Sequence, residues 1–187
     1  MKNAIKILVL IMLTAGMSSC DWIKGAADVE IDTTIESNLD IVTDEAELKS
    51  TEDHEFNAFV DTPVLNEDLE DYGDLINDYD IQDITITVFS VDSAGFPISG
   101  VEILTGSEFR MYSMNNPAVT VELDSPWPIE PGFSVSLDES AYPVIEELLD
   151  AGGIITFSAN GTCNNGNIHI VLNYGIDVTV TANPIED

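Results

Sequence analysis

Apolar side chains recur at every second position over several stretches of this 187-residue chain, and that period commits those stretches to strands. A strand points successive side chains to opposite faces, so alternation buries one face and leaves the other in water. From Val29 the pattern runs Val29, Ile31, Thr33 and Ile35, then Leu39, Ile41 and Thr43, with Glu30, Asp32 and Thr34 between. Residues 83–91 alternate Ile84, Ile86 and Val88 with Thr85, Thr87 and Phe89. Ser93-Ala94-Gly95-Phe96-Pro97 supplies turn chemistry, after which 98–104 is expected to return as a strand. Further strands are expected at 118–123 and 133–137, divided by a Pro-rich corner over 125–132. Residues 154–159 and 168–182, joined by a Gly/Asn-rich turn over 160–167, suggest a hairpin. In its second arm Ile168, Ile170, Leu172, Tyr174, Ile176, Val178 and Val180 hold one register, so that strand demands no bulge.

Two segments change period. Asn66 is placed to cap a helix over 66–79, with Glu67 and Asp68 in its first turn and Leu69, Tyr72, Ile76 and Tyr79 at helical spacing. Gly73 weakens that helix by about 1 kcal/mol relative to Ala. The second helix begins at a Ser140 cap, tolerates Pro143 in its first turn, presents Val144, Ile145, Leu148 and Leu149, and ends at Gly152-Gly153. The polar stretch 44–58, which includes His54, is expected to be an acidic loop. About seven short antiparallel strands with regular turns predict a mainly β chain. The expected fold is an antiparallel β-sandwich, immunoglobulin-like in broad architecture, with two short helices, occupying 29–187.

The N-terminus is built differently. Lys2 and Lys6 lead an apolar run from Ile7 to Leu13, and small residues follow to Cys20. That is the layout of an export signal over 1–19, too short for the ~20 residues of a membrane-spanning helix. Met17-Ser18-Ser19-Cys20 resembles a lipobox, with Met where Leu is usual and Ser where Gly or Ala is usual. Its Ser-Cys ending is similar to lipoproteins of the Bacteroidetes type. The resemblance implies cleavage before Cys20, acyl chains of the palmitate kind on Cys20, and a short anchor linker over 20–28. It also implies a cell-envelope location, at the outer membrane. Several acyl chains on one residue hold a protein on a membrane far more firmly than one. The alternative is ordinary secretion with a Cys20–Cys163 disulfide, these being the chain's two cysteines. The second half, with its strands, corner, Leu-rich helix and Asn-Gly-Thr segment, loosely resembles the late-embryogenesis-abundant group 2 sandwich.

Charge narrows the partners. All 35 acidic residues follow Cys20, whereas the basic residues after it are Lys24, Lys49 and Arg110, a formal charge of −32 for the processed chain. Such a field repels nucleic acid and anionic lipid headgroups. It suits solubility, a divalent cation or a basic protein partner. A hydrophobic content of 44% separates this chain from acidic disordered ones.

Catalytic equipment is sparse. His54 and His169 have no Cys or second His at metal-ligand spacing. No zinc-protease, Cys-x-x-Cys, Gly-x-Ser-x-Gly or phosphate-loop pattern occurs. Asp78, Asp80 and Asp83 bring oxygen donors of the kind calcium prefers, without the Gly and closing Glu of an EF-hand loop. Asp32-Thr33-Thr34 and Asp92-Ser93-Ala94 resemble the O-glycosylation sequon of Bacteroidetes exported proteins, which makes Thr33 and Ser93 candidate glycan sites. Phe96 and Trp127, each beside proline, are expected either to present an aromatic to a partner or to plug an open end of the sandwich. The resulting expectation is a non-enzymatic, membrane-anchored module binding a protein or glycan. Two alternatives stand beside it: a carbohydrate-active accessory hydrolase using paired carboxylates, and an apolar-ligand carrier, which requires a cavity.

Overall fold

A pair of long strands frames the molecule. In the computed structural model, which describes residues 28–43, 53–113 and 118–183, β1 (Val29–Val42) runs antiparallel to β11 (His169–Ala182). They pair one-for-one from Val29↔Ala182 to Val42↔His169 with no irregularity. Strict period-two alternation on both explains this: Ile35, Leu39 and Ile41 of β1 and the even positions Ile170–Val180 of β11 are buried on one face. Strand β3 (Ile76–Ser93) lies on the other side of β11, and β4 (Phe96–Pro97) and β9 (Ser134–Ser136) pair with its far edge.

The second sheet is centred on β10 (Ile154–Cys163), with β2 (His54–Pro63) along one edge. Strands β6 (Glu108–Tyr112) and β5 (Glu102–Ile103) share its other edge. Beyond them lie β7 (Val119–Glu122), paired with β6, and β8 (Trp127–Pro128), paired with β5. The two antiparallel sheets pack face to face over one apolar core, so the fold is a β-sandwich. Among the described residues β1 and β2 are the terminal strands of their sheets.

Several local expectations change. The helix over 66–79 reduces to a 3₁₀ turn at Glu70–Leu75, and Ile76 and Tyr79 belong to β3. Asn66 still caps, its Oδ1 accepting the N–H groups of Asp68 and Leu69 at 3.1 Å. Strand β3 disguised itself by changing phase. Asn77, Gln82 and Phe89 have no partner on β11, each marking a bulge, so the buried side moves from Tyr79 and Ile81 to Ile84, Ile86 and Val88, then to Val91. Of the loop expected over 44–58, residues 44–52 lie outside the described residues, and from His54 the chain is instead β2, whose Phe56, Ala58 and Thr62 point inward. Strand β6, also unforeseen, buries Phe109 and Met111 between Glu108 and exposed Arg110. The return strand at 98–104 shrinks to β5 and joins the opposite sheet from β3.

Nor are 154–159 and 168–182 a hairpin: β10 and β11 lie in different sheets, and the connection between them crosses the sandwich. The turn residues Asn160-Gly161-Thr162 are strand, paired with Asn57, Phe56 and Glu55. The turn between β3 and β4 does behave as expected. Ala94 and Gly95 take φ of 52° and 81°, the double left-handed conformation of a tight hairpin, and Asp92 Oδ1 accepts the Gly95 N–H at 2.9 Å.

Helix α1 (Tyr142–Asp150) packs Ile145, Leu148 and Leu149 into the core. Its approach is capped by Asp138 rather than Ser140: Asp138 Oδ1 accepts the Ser140 N–H at 2.9 Å and starts a 3₁₀ turn, Glu139–Ala141. At the far end, burial and then the charges of Asp78 and Glu147 raise the Asp150 carboxyl above its ordinary range. The folded chain holds that proton more tightly than the unfolded one, so the group's contribution to stability is present at acid pH and lost as pH rises through the raised value. A carboxylate in the last turn also opposes the helix dipole. Asp150→Asn is therefore expected to stabilise the domain at neutral pH by about 0.3–1 kcal/mol. The gain should vanish below about pH 4, where the acid is protonated in both states. Urea midpoints at the two pH values check this; a gain that persisted at acid pH would not be electrostatic.

Candidate functional site

On the side away from β1 and β2 the sandwich is closed only by short strands, three residues in β9 and four in β7. There the two layers part into a cleft of about 500 Å³. Val121 and Leu123 line it from one sheet, Val135 and Leu137 from the other, with Phe109 and Trp127 alongside. Glu122, Asp124 and Asp138 also border it. Two short edge strands leave apolar inward residues that no neighbouring strand among the described residues covers. A concave apolar surface of this size falls within the range of small-molecule sites, ~300–1,000 Å³.

Trp127 is 6% exposed, so it is a wall of the cleft rather than a displayed aromatic. Its indole meets Phe109 edge-on at 5.2 Å between ring centroids, and Phe133 at 6.0 Å. Pro126 and Pro128 restrict the backbone on either side. The Trp127 Nε1–H is buried and has no hydrogen-bond partner among the described residues.

A second, inner cavity of about 10 Å³ shares Ile86, Phe109, Val119, Val121 and Leu137 with the cleft and reaches Tyr174 on β11. That volume is about the size of one water molecule. The Tyr174 hydroxyl is likewise buried and unpartnered, and burial pushes its pKa far up, so it is a neutral donor at any physiological pH. Two orphaned polar groups thus stand on walls that are otherwise apolar. Each costs about 1–3 kcal/mol while unpaired.

The other candidate residues are dispersed. Cys20 lies outside the described residues, as do residues 1–19 of the expected signal. Cys163 is fully buried on β10, and burial raises its thiol pKa. Thr33 is on the inward side of β1, donating to Asp68 Oδ2 and accepting from Asn66 Nδ2, both at 2.8 Å. Ser93 is half-buried and donates to the Asn167 carbonyl at 2.8 Å. Phe96, in contrast to Trp127, is 74% exposed.

Asp78, Asp80 and Asp83 lie along β3 instead of at a helix–strand junction. Asp80 Oδ2 accepts from the Gln82 side chain at 2.9 Å, and Asp83 Oδ1 accepts the Ile84 N–H at 2.8 Å. No group of three or more metal-capable His, Cys, Asp or Glu side chains forms among the described residues. His54 heads β2 rather than sitting in a loop. His169 spans three strands on the outer face, with Nε2 at 2.9 Å from Asp40 and Nδ1 at 3.6 Å from Asp92. Arg110, the single Lys or Arg among the described residues, lies over the Tyr112 ring at 5.8 Å.

Sequence reasoning named Trp127 and missed its surroundings. The detectable signal was Tyr174, the one hydroxyl-bearing side chain on an inward row of Ile, Leu and Val. Together the sheets and the cleft define an antiparallel β-sandwich with a lateral apolar cleft. The chain matches no protein-family model, and no curated protein matches it at a significant level.

Proposed function

We propose that this protein is a non-enzymatic binding module of the bacterial cell envelope, tethered to the outer membrane through acylated Cys20, whose lateral cleft takes an apolar ligand. The observation that carries the binding reading is the cleft of about 500 Å³, with Trp127 in its wall and the Trp127 Nε1–H buried without an acceptor, backed by an inner cavity where the Tyr174 O–H is likewise unpartnered. This favours the apolar-ligand reading over a glycan surface, because a sugar site needs many polar partners and the cleft walls offer few. The hydrolase reading is less well supported. A glycosidase requires a carboxyl held protonated as general acid. Of the acids at the cleft, Asp138 is held below the ordinary range by its hydrogen bonds to Ser140, the opposite direction.

The tether rests on the lipobox resemblance at Met17–Cys20 and on the burial of Cys163, which keeps that thiol inside the sandwich. Both parts are testable together. Intact mass of the protein taken from its own membranes should show acyl additions on Cys20; a Cys20–Cys163 disulfide would remove the tether. The processed polypeptide, residues 20–187 with Cys20→Ser, should enhance the fluorescence of the neutral dye N-phenyl-naphthylamine. Val135→Trp, at a position already 41% exposed, should fill the cleft and abolish that enhancement without unfolding the chain. Enhancement unaffected by Val135→Trp would place the dye elsewhere and overturn the cleft as the site.

A further inference from the structure

Selectivity can be read from the same walls. We infer that the cleft selects uncharged apolar molecules carrying an acceptor oxygen, such as a long-chain alcohol or ketone, and discriminates against fatty acids. The inference rests on the binding reading above and adds the chemical class of ligand to it.

Three observations carry it. The first is the donor set. An indole N–H can only donate, and the Tyr174 phenol is kept neutral by burial, so both groups ask for an acceptor. Hydrocarbon alone leaves them orphaned. A hydroxyl or carbonyl oxygen that reached either group would relieve the cost of leaving a buried donor unpaired.

The second observation is the rim. Glu122, Asp124 and Asp138 border the cleft, and hydrogen bonding from Ser140 keeps Asp138 ionised. A carboxylate headgroup would meet three like charges. The single Lys or Arg among the described residues, Arg110, has an exposed side chain on β6, between inward-facing Phe109 and Met111, and borders the inner cavity rather than the cleft. Among the described residues no Lys or Arg lines the cleft itself, where an anionic head would need one.

The third is depth. The inner cavity at Tyr174 shares five of its lining residues with the cleft, so the phenol stands just behind the cleft wall. A ligand oxygen near that wall lies within one small group, or one bridging water, of a donor that has no other partner.

Decanol, decylamine and decanoate share one chain and differ in the head, which makes them a direct test. Each is titrated against dye bound to the processed Cys20→Ser polypeptide, and against Trp127 fluorescence in a Trp22→Phe background. Decanol should displace the dye, and decanoate should do so at least tenfold more weakly. Trp127→Phe and Tyr174→Phe, both close in shape to the parent, should each weaken decanol by about three- to tenfold. Decylamine, whose ammonium offers no acceptor, should be indifferent to Trp127→Phe, since the indole N–H can only donate. That pattern separates a hydrogen bond from a general change in packing, which would move both ligands together.

Equal affinity for decanol and decanoate overturns the inference, as does decanol binding that neither aromatic substitution alters. Either result leaves the binding reading in place. Failure of the dye to bind at all would instead remove the binding reading.

Discussion

Phe157→Ala should cost the domain about 3–5 kcal/mol, the range for emptying a large aromatic site in a well-packed core. Phe157 is fully buried at the middle of β10, opposite Val60 of β2 and Met111 of β6. Its ring reaches across the sandwich to Tyr174, 4.8 Å away between centroids, and so joins the two sheets at their centre. Neither backbone can move inward to fill the space, because β10 is hydrogen-bonded along both edges and β11 likewise. Against a total stability of about 5–15 kcal/mol, the variant would be marginal. Urea unfolding of the processed polypeptide measures this. A loss below about 1 kcal/mol would show that the sheets collapse onto the gap and that the core is not rigid here. Tyr174→Phe provides the contrast, since removing an unpaired buried hydroxyl should cost little or stabilise.

Gly161→Ala is expected to be nearly as damaging for an unrelated reason. Gly161 does not have a left-handed φ, so backbone freedom is not at issue. Space is. A Cβ built at this position would fall within the Ser107 side chain and 2.8 Å from the Ser107 Cα. The approach is held by hydrogen bonds: Thr162 N–H donates to Ser107 Oγ at 3.2 Å, and Leu104 N–H to the Thr162 carbonyl at 2.8 Å. Pushing the segments apart breaks the contact through which β10 passes from β6 to β5. Overpacking of this kind costs about 1–3 kcal/mol, and the backbone contact argues for the upper end. Ser107→Gly combined with Gly161→Ala should recover part of the loss, because it removes the side chain and leaves the Cα. A double-mutant cycle with no coupling would mean that the two residues do not touch.

The parts of this fold that could be read from the sequence were those where alternation ran long and in phase. Strands β1 and β11 satisfied that over fourteen residues each and were legible nearly to their ends. Strand β3 was legible only between its bulges at Gln82 and Phe89, because each inserted residue reverses which parity faces inward. Before Gln82, Tyr79 looked helical because Ile76, Tyr72 and Leu69 precede it at helical intervals. Acidic neighbours concealed β2, where Glu55 and Asp61 occupy outward positions on either side of Phe56, Ala58 and Val60. Partner choice was not encoded locally at all. Residues 154–163 and 169–182 carry equally good strand patterns, and only the whole sandwich decides that they belong to opposite sheets.

The candidate site was legible in one residue. Trp127 stood out by its flanking prolines, and a role in plugging an open end anticipated its burial. The cleft beside it arises because β7 and β9 are too short to close the layers, and strand length at an edge is set by three-dimensional closure rather than by local pattern. Thr33 shows the reverse case. A three-residue sequon marked it, yet the alternation that makes β1 a strand turns its hydroxyl inward.

The edge of β1, terminal in its sheet among the described residues and met by a side chain at Thr34, where Asn66 Nδ2 donates to the carbonyl at 3.1 Å, has a consequence for crowding. Fourteen residues of regular, bulge-free strand at the margin of a sheet invite a second copy to continue the ladder, the first step of edge-to-edge aggregation. Outward along that margin, however, stand Glu30, Asp32, Glu36 and Asp40, like charges repeated along the strand. Two molecules confined side by side would therefore meet strongest repulsion along the line where their backbones could otherwise pair. Neighbours kept apart by charge in this way should come closer as ionic strength rises, since salt shortens the reach of that repulsion.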